Sequence, residues 1–595
     1  MSNFSYKKHL DFLRGVSNYF NSTTDPHSRN FCDKHGIEHI GKTAYSIAID
    51  LFLHEEGNDE EYLNRARQRA MRVVSRQFEV EGRYVYLPDG NEKWNMSQRV
   101  IDAGAATDML ATFLLSAGSK LAKEERESIS SVVYKNADTY LTEASVEKAP
   151  TNQRLWGATG LASAYTLFKK PEWAEALRSS VSRSLSEMRG DGSFPYVTAY
   201  EGYGMDSSAK DITPYYHSRH VVFLWHVLDS LGGDQAKEIH DLLLATDFLI
   251  GLYQADGLKN IALETKHWYF LSPYEVASNS YDAYAFLRAY RQTGEDKYAH
   301  YALLALNHLY RHQQEDGSLI DHYGSEVNFQ CKYFWNSHCA WLTRIADDVK
   351  NLEKKSFTPT VSHNCTLAPS GIVNVNNGAV AFILRGAKTP RRVIMGPMIG
   401  GGSLVYFGTK EMKFTNLLQM KILPSRVPGN FHLTETVLNP GYWWRIRGKD
   451  LKALLIYARI ELRAFSISGF LQRMRIVWQE TFSLKNHASS MYVTDVKIEH
   501  RGATINVSDA GLARRDGKKI SGYSLERIIN YSETAIVIQE KIIVTAAQKG
   551  SLVYVLPDVS SDLELSGTLE TSVSKRMISI SSGQGVACIK YCMKA

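Results

Sequence analysis

The sequence has 595 residues, of which 44% are hydrophobic, 22% charged and 11% aromatic, and its formal net charge is +6. This length allows two or more domains, since a single core rarely grows past about 250–300 residues, and the apolar and aromatic content excludes a disordered chain. No uninterrupted apolar run reaches the roughly 20 residues of a membrane helix, and the N-terminus lacks the pattern of a secretory signal. With only six cysteines, the sequence predicts a cytoplasmic protein with reduced thiols rather than a disulfide scaffold.

The first 355 residues repeat the 3.6-residue apolar period of amphipathic helices. Two kinds of segment alternate along this part of the chain. Segments with a charged outer face are 4–20, 59–78, 122–145, 171–189, 234–253 and 296–315. Segments rich in small and aromatic residues are 40–56, 95–115, 152–168, 212–231, 274–293 and 334–350. The second kind has the composition of helices that are buried on most sides.

An Asp-Gly turn signal recurs after the charged segments. It occurs at Asp89-Gly90, Asp191-Gly192, Asp256-Gly257 and Asp316-Gly317. Regular spacing of this kind is typical of repeat architectures. Six outer and six inner helices can close into an (α/α)6-type toroid. An open superhelical array is the competing arrangement, but its repeats are usually shorter, about 34–47 residues.

From residue 356 onward the pattern changes to short β-branched runs separated by glycine-rich turns. Ten or more such runs, with no long helical stretch among them, predict an antiparallel β-sandwich. We therefore expect a toroid domain at 1–355 and a sandwich domain at 356–595. Residues 356–595 contain 30 Lys and Arg against 16 Asp and Glu, a net charge of +14, and residues 1–355 carry −8. A basic domain of this size attracts polyanions or offsets the acidic domain.

The segments that open the inner helices are unusually polar and aromatic. Aromatic rings stack on the apolar faces of sugars, and amides and guanidinium groups bind hydroxyls and carboxylates. Core packing and helix capping are the competing explanation for each residue taken alone. The candidate saccharide-binding residues are Arg99, Arg154, Trp156, Tyr215, Arg219, His220, Lys266, Trp268, Asn279, Tyr281, Trp335, Asn336 and His338.

Motifs for metal or nucleotide chemistry are absent from the sequence. It contains no HExxH motif, no pair of CxxC motifs and no phosphate-binding GxxxxGK[ST] loop. His217 and His220 have a spacing that could bind a metal, but two packed histidines are the simpler interpretation because no third ligand is nearby. We therefore expect no metal and no cofactor.

The stretch from Asp191 to His220 resembles the heparinase II/III-like polysaccharide lyases. In that family an Asp-Gly-Ser turn leads to a Ser-Pro-x-Tyr-His segment that opens an inner helix, and here Asp191-Gly192-Ser193 and Thr213-Pro214-Tyr215-Tyr216-His217 occupy those places. One hairpin earlier, Asn152-Gln153 matches the family's Asn-His segment, with glutamine in place of histidine. The family's order of toroid and then sandwich is also the order predicted here.

The resemblance implies that Tyr216 is the catalytic tyrosine and that Asn152 binds a uronate carboxylate. His217 and His267 complete the predicted catalytic set. The family's sandwich domain often supplies a histidine from a stretch for which this chain has GPMIGGGSLVYFG, without histidine. His363, His432 or His267 would take its place.

The predicted activity is β-elimination in an acidic, uronate-containing glycan. The C5 proton of a uronate becomes removable when its carboxylate is neutralised, and a tyrosinate can take that proton and return one to the leaving oxygen O4. The expected partner is thus an acidic poly- or oligosaccharide, without nucleic acid and without insertion into a membrane. Alternatives are a uronate C5-epimerase, a glycoside hydrolase on the same toroid, or a saccharide-binding protein without catalysis.

Overall fold

The computed structural model describes residues 4–23, 40–87, 96–148, 150–195, 214–255, 257, 259, 274–319, 337–354, 363–367, 370–386, 399–409, 415–416, 426–435, 471, 487–514, 517–546 and 550–594. At 96–99, 274–277, 363, 409, 415–416 and 435 the description is of the backbone only.

The chain forms two compact units. The first consists of residues 1–199, 215–250 and 272–359, and the second of residues 200–214, 251–271 and 360–595. Two segments from the helical part of the sequence, 200–214 and 251–271, therefore belong to the second unit.

The first unit is helical. Its helices are α1 (Tyr6–Thr23), α2 (Ile40–Gly57), α3 (Glu60–Val74), α4 (Met96–Ala117), α5 (Lys123–Asn136), α6 (Thr142–Glu147), α7 (Thr151–Phe168), α8 (Pro171–Ser186), α9 (Pro214–Leu231), α10 (Ala236–Leu252), α11 (Tyr274–Thr293), α12 (Asp296–Arg311) and α13 (Ala346–Glu353). A π-helical turn, Ala137–Leu141, joins α5 to α6, and a 3-10 helix, His338–Ile345, precedes α13. Most helix ends lie within a few residues of the predicted ones.

The inner helices form a closed ring. α2 packs against α4, and α4 packs against α7. Trp156 of α7 contacts Phe223 of α9 with ring centroids 5.0 Å apart, and Phe223 contacts Tyr281 of α11 at 5.9 Å. α11 packs against the 3-10 helix, which packs against α2. This closure confirms the predicted toroid over the open array.

Burial explains why the two kinds of segment differ in composition. In α2, every residue from 40 to 54 is buried, because the helix has neighbours on all sides. In its outer neighbour α3, only one face is buried, formed by Leu63, Ala66, Arg69, Ala70 and Val73. An inner helix therefore needs small and apolar residues all around, whereas an outer helix keeps a charged face for water.

Two neighbouring inner helices approach so closely that only glycine fits. A Cβ atom on Gly104 of α4 would collide with the backbone carbonyl of Trp156 on α7. A Cβ atom on Gly160 of α7 would lie 2.5 Å from the carbonyl oxygen of Gly104. The small-residue composition of these helices thus allows backbone to pack on backbone.

Two of the Asp-Gly turns, at 191–192 and 316–317, are built alike. Asp191 Oδ1 accepts hydrogen bonds from the Ser193 backbone N–H at 3.1 Å and from the Ser193 hydroxyl at 2.7 Å. Asp316 does the same for Ser318, at 2.9 and 2.6 Å. Both central glycines have positive φ, 82° at Gly192 and 81° at Gly317. The turn at 89–90 and Asp256 of the turn at 256–257 lie outside the described residues.

Two predicted helical segments differ from the structure. The helix predicted over 59–78 ends at Val74, and strands β1 (Gln77–Val80) and β2 (Arg83–Tyr86) follow as a hairpin. The segment 334–350 was predicted as one helix, but its described part is the 3-10 helix followed by α13.

The second unit consists mainly of antiparallel sheets. Its strands are β3 (His363–Leu367), β4 (Ile372–Asn376), β5 (Val380–Arg385), β6 (Ser403–Thr409), β7 (Thr415–Asn416), β8 (Asn430–Glu435), β9 (His487–Ser489), β10 (Lys497–Arg501), β11 (Thr504–Ala510), β12 (Ala513–Arg514), β13 (Tyr523–Tyr531), β14 (Ala535–Val544), β15 (Gly550–Val555), β16 (Ser560–Gly567), β17 (Thr571–Ser574), β18 (Met577–Ile580) and β19 (Gly585–Lys594). They form sheets in the orders β3-β4-β5-β6-β7, β12-β9-β8-β15-β18-β17 and β10-β11-β13-β14-β19-β16. The predicted antiparallel β-domain is confirmed.

A buried ion pair joins the three sheets. Arg527 of β13 donates to Glu540 of β14 at 2.6 Å. The same guanidinium donates to the carbonyl of Gly429, next to β8, at 2.7 Å and to the carbonyl of Gly402, next to β6. Because the Arg527 guanidinium donates to groups beside strands of all three sheets, it fixes how the sheets meet.

One helical stretch, Val100–Lys120, is long and apolar enough to cross a membrane by length and composition alone. Of an apolar 18-residue part of this stretch, 78% is buried inside the protein, as in the core helix of a folded domain.

Candidate active site

The beginnings of five inner helices meet inside the toroid. Lys42 is the third residue of α2, Trp156 the sixth of α7, Arg219 the sixth of α9 and Tyr281 the eighth of α11, and His338 begins the 3-10 helix. Lys42 lies in the first turn of its helix, whereas Trp156, Arg219 and Tyr281 lie in the second turn or beyond.

Arg219 is surrounded by aromatic rings. Its guanidinium carbon lies 3.4 Å from the centroid of the Tyr215 ring, 4.6 Å from that of Tyr281 and 6.0 Å from that of Trp156. It donates to the Tyr215 carbonyl at 2.6 Å, and the residue is fully buried. These contacts hold the charge in one place, because a planar guanidinium stacks on rings better than an ammonium does.

His338 lies between two cations. Its Nδ1 is 3.4 Å from a terminal nitrogen of Arg219, and its Nε2 is 3.5 Å from Lys42 Nζ. Burial, together with these two positive charges, holds the pKa of His338 well below its usual range. The imidazole is thus neutral at physiological pH. We call Lys42, Arg219 and His338 the inner cation cluster.

Asn152 and Trp156 lie one helical turn apart on the same face of α7. Lys42 Nζ lies 4.6 Å from the centroid of the Trp156 ring, so this face is the one turned toward the inner cation cluster. Asn152 is 2% exposed and Trp156 3%. The Asn152 amide oxygen and the Trp156 indole nitrogen are buried without a hydrogen bond to any described residue. Buried polar atoms usually have partners, so this face has unused hydrogen-bonding capacity.

Tyr216 is half-buried in the first turn of α9. Its ring packs edge-on against Tyr215, with centroids 5.1 Å apart. Arg219 is three residues further along the same helix, a spacing that makes the two residues neighbours on the helix surface.

The histidines next to Tyr216 have other surroundings. His217 Nε2 is hydrogen-bonded to the Ala245 carbonyl of outer helix α10 at 2.9 Å, and its ring packs on Phe248 at 4.7 Å. His220 packs against Phe194 at 5.1 Å, and neither of its ring nitrogens has a hydrogen-bond partner among the described residues. Burial above all holds the pKa of His220 well below its usual range. Both residues thus pack as core histidines, the simpler of the two interpretations of this pair.

Two other candidates are directed toward outer helices. Arg154 is fully buried and donates to Glu187, just after α8, at 2.6 Å and to the Lys148 carbonyl at 2.9 Å. The Asn279 amide donates to the Ala305 carbonyl of α12 at 3.4 Å. These contacts anchor inner helices to outer ones.

The predicted site residues thus separate into groups. The structure brings together Trp156, Tyr215, Arg219, Tyr281 and His338 around one cluster. The candidates outside the described side chains are Arg99, Lys266, His267, Trp268, Trp335 and Asn336. Of the histidines considered as substitutes, His432 is buried in the second unit, where it is hydrogen-bonded to His487 at 3.1 Å and to the Val427 carbonyl at 2.9 Å.

Lys42 also belongs to the inner cation cluster, although no sequence motif predicted it as a site residue. It is 2% exposed, in a helix whose other residues near its beginning are small or apolar. A lysine in the first turn of a helix predicted to be an inner one is the signal that could have identified it.

Among the described residues, no group of three or more His, Cys, Asp or Glu is arranged to hold a metal ion.

Searches with the sequence find no matching protein-family model and no matching curated protein. The fold, in contrast, is similar to solved structures. A Paenibacillus xanthan lyase matches with a TM-score of 0.53 and 11% identity, over 98% of this chain and 56% of the lyase. The Streptomyces coelicolor A3 chondroitin AC lyase matches over 99% of this chain and 79% of the lyase at 10% identity, with TM-scores of 0.52 for a mutant and 0.50 for the complex with chondroitin sulphate.

These lyases consist of an α/α toroid and a β-sandwich. This chain spans a little over half of the xanthan lyase, and at 10–11% identity the likeness concerns the fold. The chain has the fold of the toroid-and-sandwich polysaccharide lyases.

Proposed function

We propose that the protein is a polysaccharide lyase that cleaves an acidic, uronate-containing glycan by β-elimination. In this proposal Tyr216 takes the C5 proton and Asn152 neutralises the uronate carboxylate. The reaction needs neither a metal nor a cofactor, because the carboxylate itself receives the developing charge.

One observation carries the proposal. Asn152 is buried near the beginning of α7, and its amide oxygen has no hydrogen-bond partner among the described residues. The neighbouring inner helix α9 carries the half-buried Tyr216 in its first turn, and the two helices are joined by the contact between Trp156 and Phe223. A side-chain amide both donates and accepts, so it can hold a carboxylate and a sugar hydroxyl at once.

The chemistry follows from these groups. Tyr216, as tyrosinate, takes the proton from C5. The C5–H electron pair forms the double bond between C4 and C5 while the bond from C4 to O4 breaks, and the tyrosine returns the proton to O4 of the leaving chain. The products are an unsaturated uronate and a saccharide with a new hydroxyl. A positive charge at Arg219, three residues from Tyr216, favours the tyrosinate.

The charge distribution supports an acidic substrate. Residues 356–595 carry a net charge of +14, and a basic domain of this size attracts polyanions. Arg154 takes no part in this proposal, because its guanidinium is already paired with Glu187.

The proposal is tested by incubating the protein with alginate, glucuronan, heparan and chondroitin and recording the ultraviolet absorbance of the unsaturated product. We expect absorbance to rise with at least one of these polymers. Cleavage into saturated products would indicate a hydrolase. Solvent deuterium at C5 without cleavage would indicate an epimerase, and binding without either would indicate a saccharide-binding protein. Each of these three outcomes would contradict the proposed lyase.

A further inference from the structure

Residues 187–194 follow outer helix α8 and contact two inner helices, α7 and α9; we call them the spacer segment. At its beginning, Glu187 Oε2 accepts hydrogen bonds from the Thr151 hydroxyl and the Arg154 guanidinium, both at 2.6 Å. Thr151 and Arg154 lie on either side of Asn152 in the sequence. The spacer segment therefore holds the beginning of α7 from both sides of the residue proposed to bind the carboxylate.

The other end of the spacer segment packs on α9. The ring centroid of Phe194 lies 5.5 Å from that of His217 and 5.1 Å from that of His220, and all three residues are buried. His217 directly follows Tyr216 in α9. The beginning of the helix that carries the proposed catalytic tyrosine is thus tied to Phe194.

A closed turn separates the two ends of the spacer segment. The Arg189 N–H donates to the Ser193 carbonyl at 2.9 Å, and Asp191 Oδ1 accepts from both the N–H and the hydroxyl of Ser193. Gly192 lies against outer helix α10, because a Cβ atom there would collide with the Leu244 carbonyl. The segment can lengthen only by breaking these contacts, so it keeps a fixed distance between its contacts with α7 and α9.

The proposed reaction needs such a fixed distance. The carboxylate carbon of a uronate is bonded to C5, so the Asn152 amide and the Tyr216 oxygen act on neighbouring atoms of one sugar. A misplacement of about 1 Å can lower the rate about 100-fold. The direct contact between Trp156 and Phe223 lies one turn beyond Asn152 and about two turns beyond Tyr216, whereas the spacer segment binds next to both.

We propose that the spacer segment positions Asn152 and Tyr216 relative to each other, and that Asp191 is the positioning residue that keeps its turn closed. This inference rests on the proposed function, because it takes both groups to act on the same sugar. The turn acts through Glu187 on α7 and through Phe194 on α9. The Asp-Gly-Ser motif then sets the geometry of the site without touching the glycan.

The chain contains a matched control for this turn. Asp316 accepts the same two hydrogen bonds from Ser318, at 2.9 and 2.6 Å. Gly317 lies against the backbone of α1 at Gly15, and α1 carries no residue of the proposed site. Opening this second turn breaks the same local contacts, but it does not release α7 or α9.

The first measurement is hydrogen exchange, followed by mass spectrometry, in the wild type, Asp191→Ala, Asp191→Asn and Asp316→Ala without glycan. In Asp191→Ala we expect the peptides at the beginnings of α7 and α9 to exchange at least about tenfold faster, because both helix ends lose their tie. Asp191→Asn keeps the wild-type exchange, since an amide oxygen can accept the same two hydrogen bonds. Asp316→Ala does not change these two peptides.

The second measurement is turnover of a uronate polymer. We expect kcat of Asp191→Ala to fall about tenfold to 100-fold with little change in KM, because misplaced groups weaken the transition state more than substrate binding. Asp191→Asn and Asp316→Ala keep the wild-type kcat. A merely structural role would destabilise Asp191→Ala and Asp316→Ala alike and would not lower kcat of the folded protein.

Two results would overturn the inference: exchange at the beginnings of α7 and α9 is the same in Asp191→Ala as in the wild type, or kcat of Asp191→Ala falls no further than that of Asp316→Ala. Circular dichroism verifies folding, and Ser193→Ala, which removes only the hydroxyl contact, replaces Asp191→Ala if the latter does not fold. Exchange needs no turnover. A wild type that cleaves no uronate polymer would therefore contradict the lyase, while faster exchange in Asp191→Ala but not in Asp316→Ala would still support the spacer segment.

Discussion

Asn152 and Arg154 are two residues apart on α7, and this spacing turns their side chains to opposite sides of the helix. The side of Asn152 is shared with Trp156 and leads to the inner cation cluster, while Arg154 reaches Glu187 beside α8. The sequence identified both as polar residues at the beginning of an inner helix. It could not separate their roles, because the rotation of an inner helix about its axis has no signature when the helix is buried all around.

Replacing Arg154 with methionine should destabilise the protein. The change removes the buried guanidinium that pairs with the Glu187 carboxylate, whose side chain is 9% exposed, and breaking a buried pair of this kind costs roughly 3–5 kcal/mol of the free energy of unfolding. Urea unfolding of the wild type and Arg154→Met measures this difference. Unchanged stability together with a loss of glycan binding would instead place Arg154 in the substrate site.

The matched control is Arg183→Met. Arg183 also lies near Glu187, but at 3.7 Å and with a side chain that is 39% exposed. We expect it to change the free energy of unfolding by less than about 1 kcal/mol.

Among the secondary-structure elements, the inner and outer helices were predicted from the 3.6-residue spacing of apolar residues, because the buried face of a helix repeats with the same spacing. The hairpin after α3 was missed. Its loop consists of Glu81 and Gly82, both with positive φ, at 53° and 74°. Two-residue loops of this kind join antiparallel strands. Each strand has only four residues. Such short strands do not visibly break the helical apolar pattern that begins at residue 60.

The contact between α4 and α7 predicts a strong effect at Gly104. A methyl group there collides with the backbone of Trp156, so the two helices have to separate in Gly104→Ala. We expect a loss of about 1–3 kcal/mol or more in the free energy of unfolding, measured with urea.

Gly57→Ala is the control for this prediction. Gly57 ends α2, and a Cβ atom there would have no neighbour within 4 Å. Its replacement should change the stability by less than about 1 kcal/mol. Equal effects at the two glycines would mean that the helices are not in close backbone contact.

At the scale of the whole molecule, the predicted toroid and antiparallel β-domain are both present. The sequence pattern was enough to predict both domains, because helices and strands each place apolar residues at a regular spacing over many positions. The candidate site depends on side chains from five helices that are far apart in the sequence, and no local pattern encodes their meeting. The substrate, the reaction and the cytoplasmic location stay predictions.

Buried histidines make the stability of the molecule dependent on pH. Burial lowers the pKa of His9, His300 and His432 to about 4 in each case, and it lowers the pKa of His220, His226 and His338 as well. In the unfolded chain these groups bind a proton below about pH 6.5. Their contribution to stability is therefore complete above that pH and is lost as the pH falls toward 4.

We expect the free energy of unfolding to be several kcal/mol lower at pH 5 than at pH 7, because His9, His300 and His432, with a pKa of about 4, each contribute roughly 2 kcal/mol to the difference. Urea unfolding at both pH values measures it. The difference should be smaller in His300→Gln, which removes one of the titrating groups. Greater stability at pH 5 than at pH 7 would contradict the assignment of these histidines as neutral in the folded protein.

The central claim is that Tyr216 performs the chemistry of a polysaccharide lyase. It is tested most directly by the initial rate of unsaturated-uronate formation by the wild type, Tyr216→Phe and the control Tyr134→Phe, whose hydroxyl lies on the toroid surface next to Lys170. The account predicts that Tyr216→Phe loses at least about 100-fold in rate, the share typical of an acid–base group, while Tyr134→Phe keeps the wild-type rate. A Tyr216→Phe protein that cleaves the polymer as fast as the wild type would contradict it.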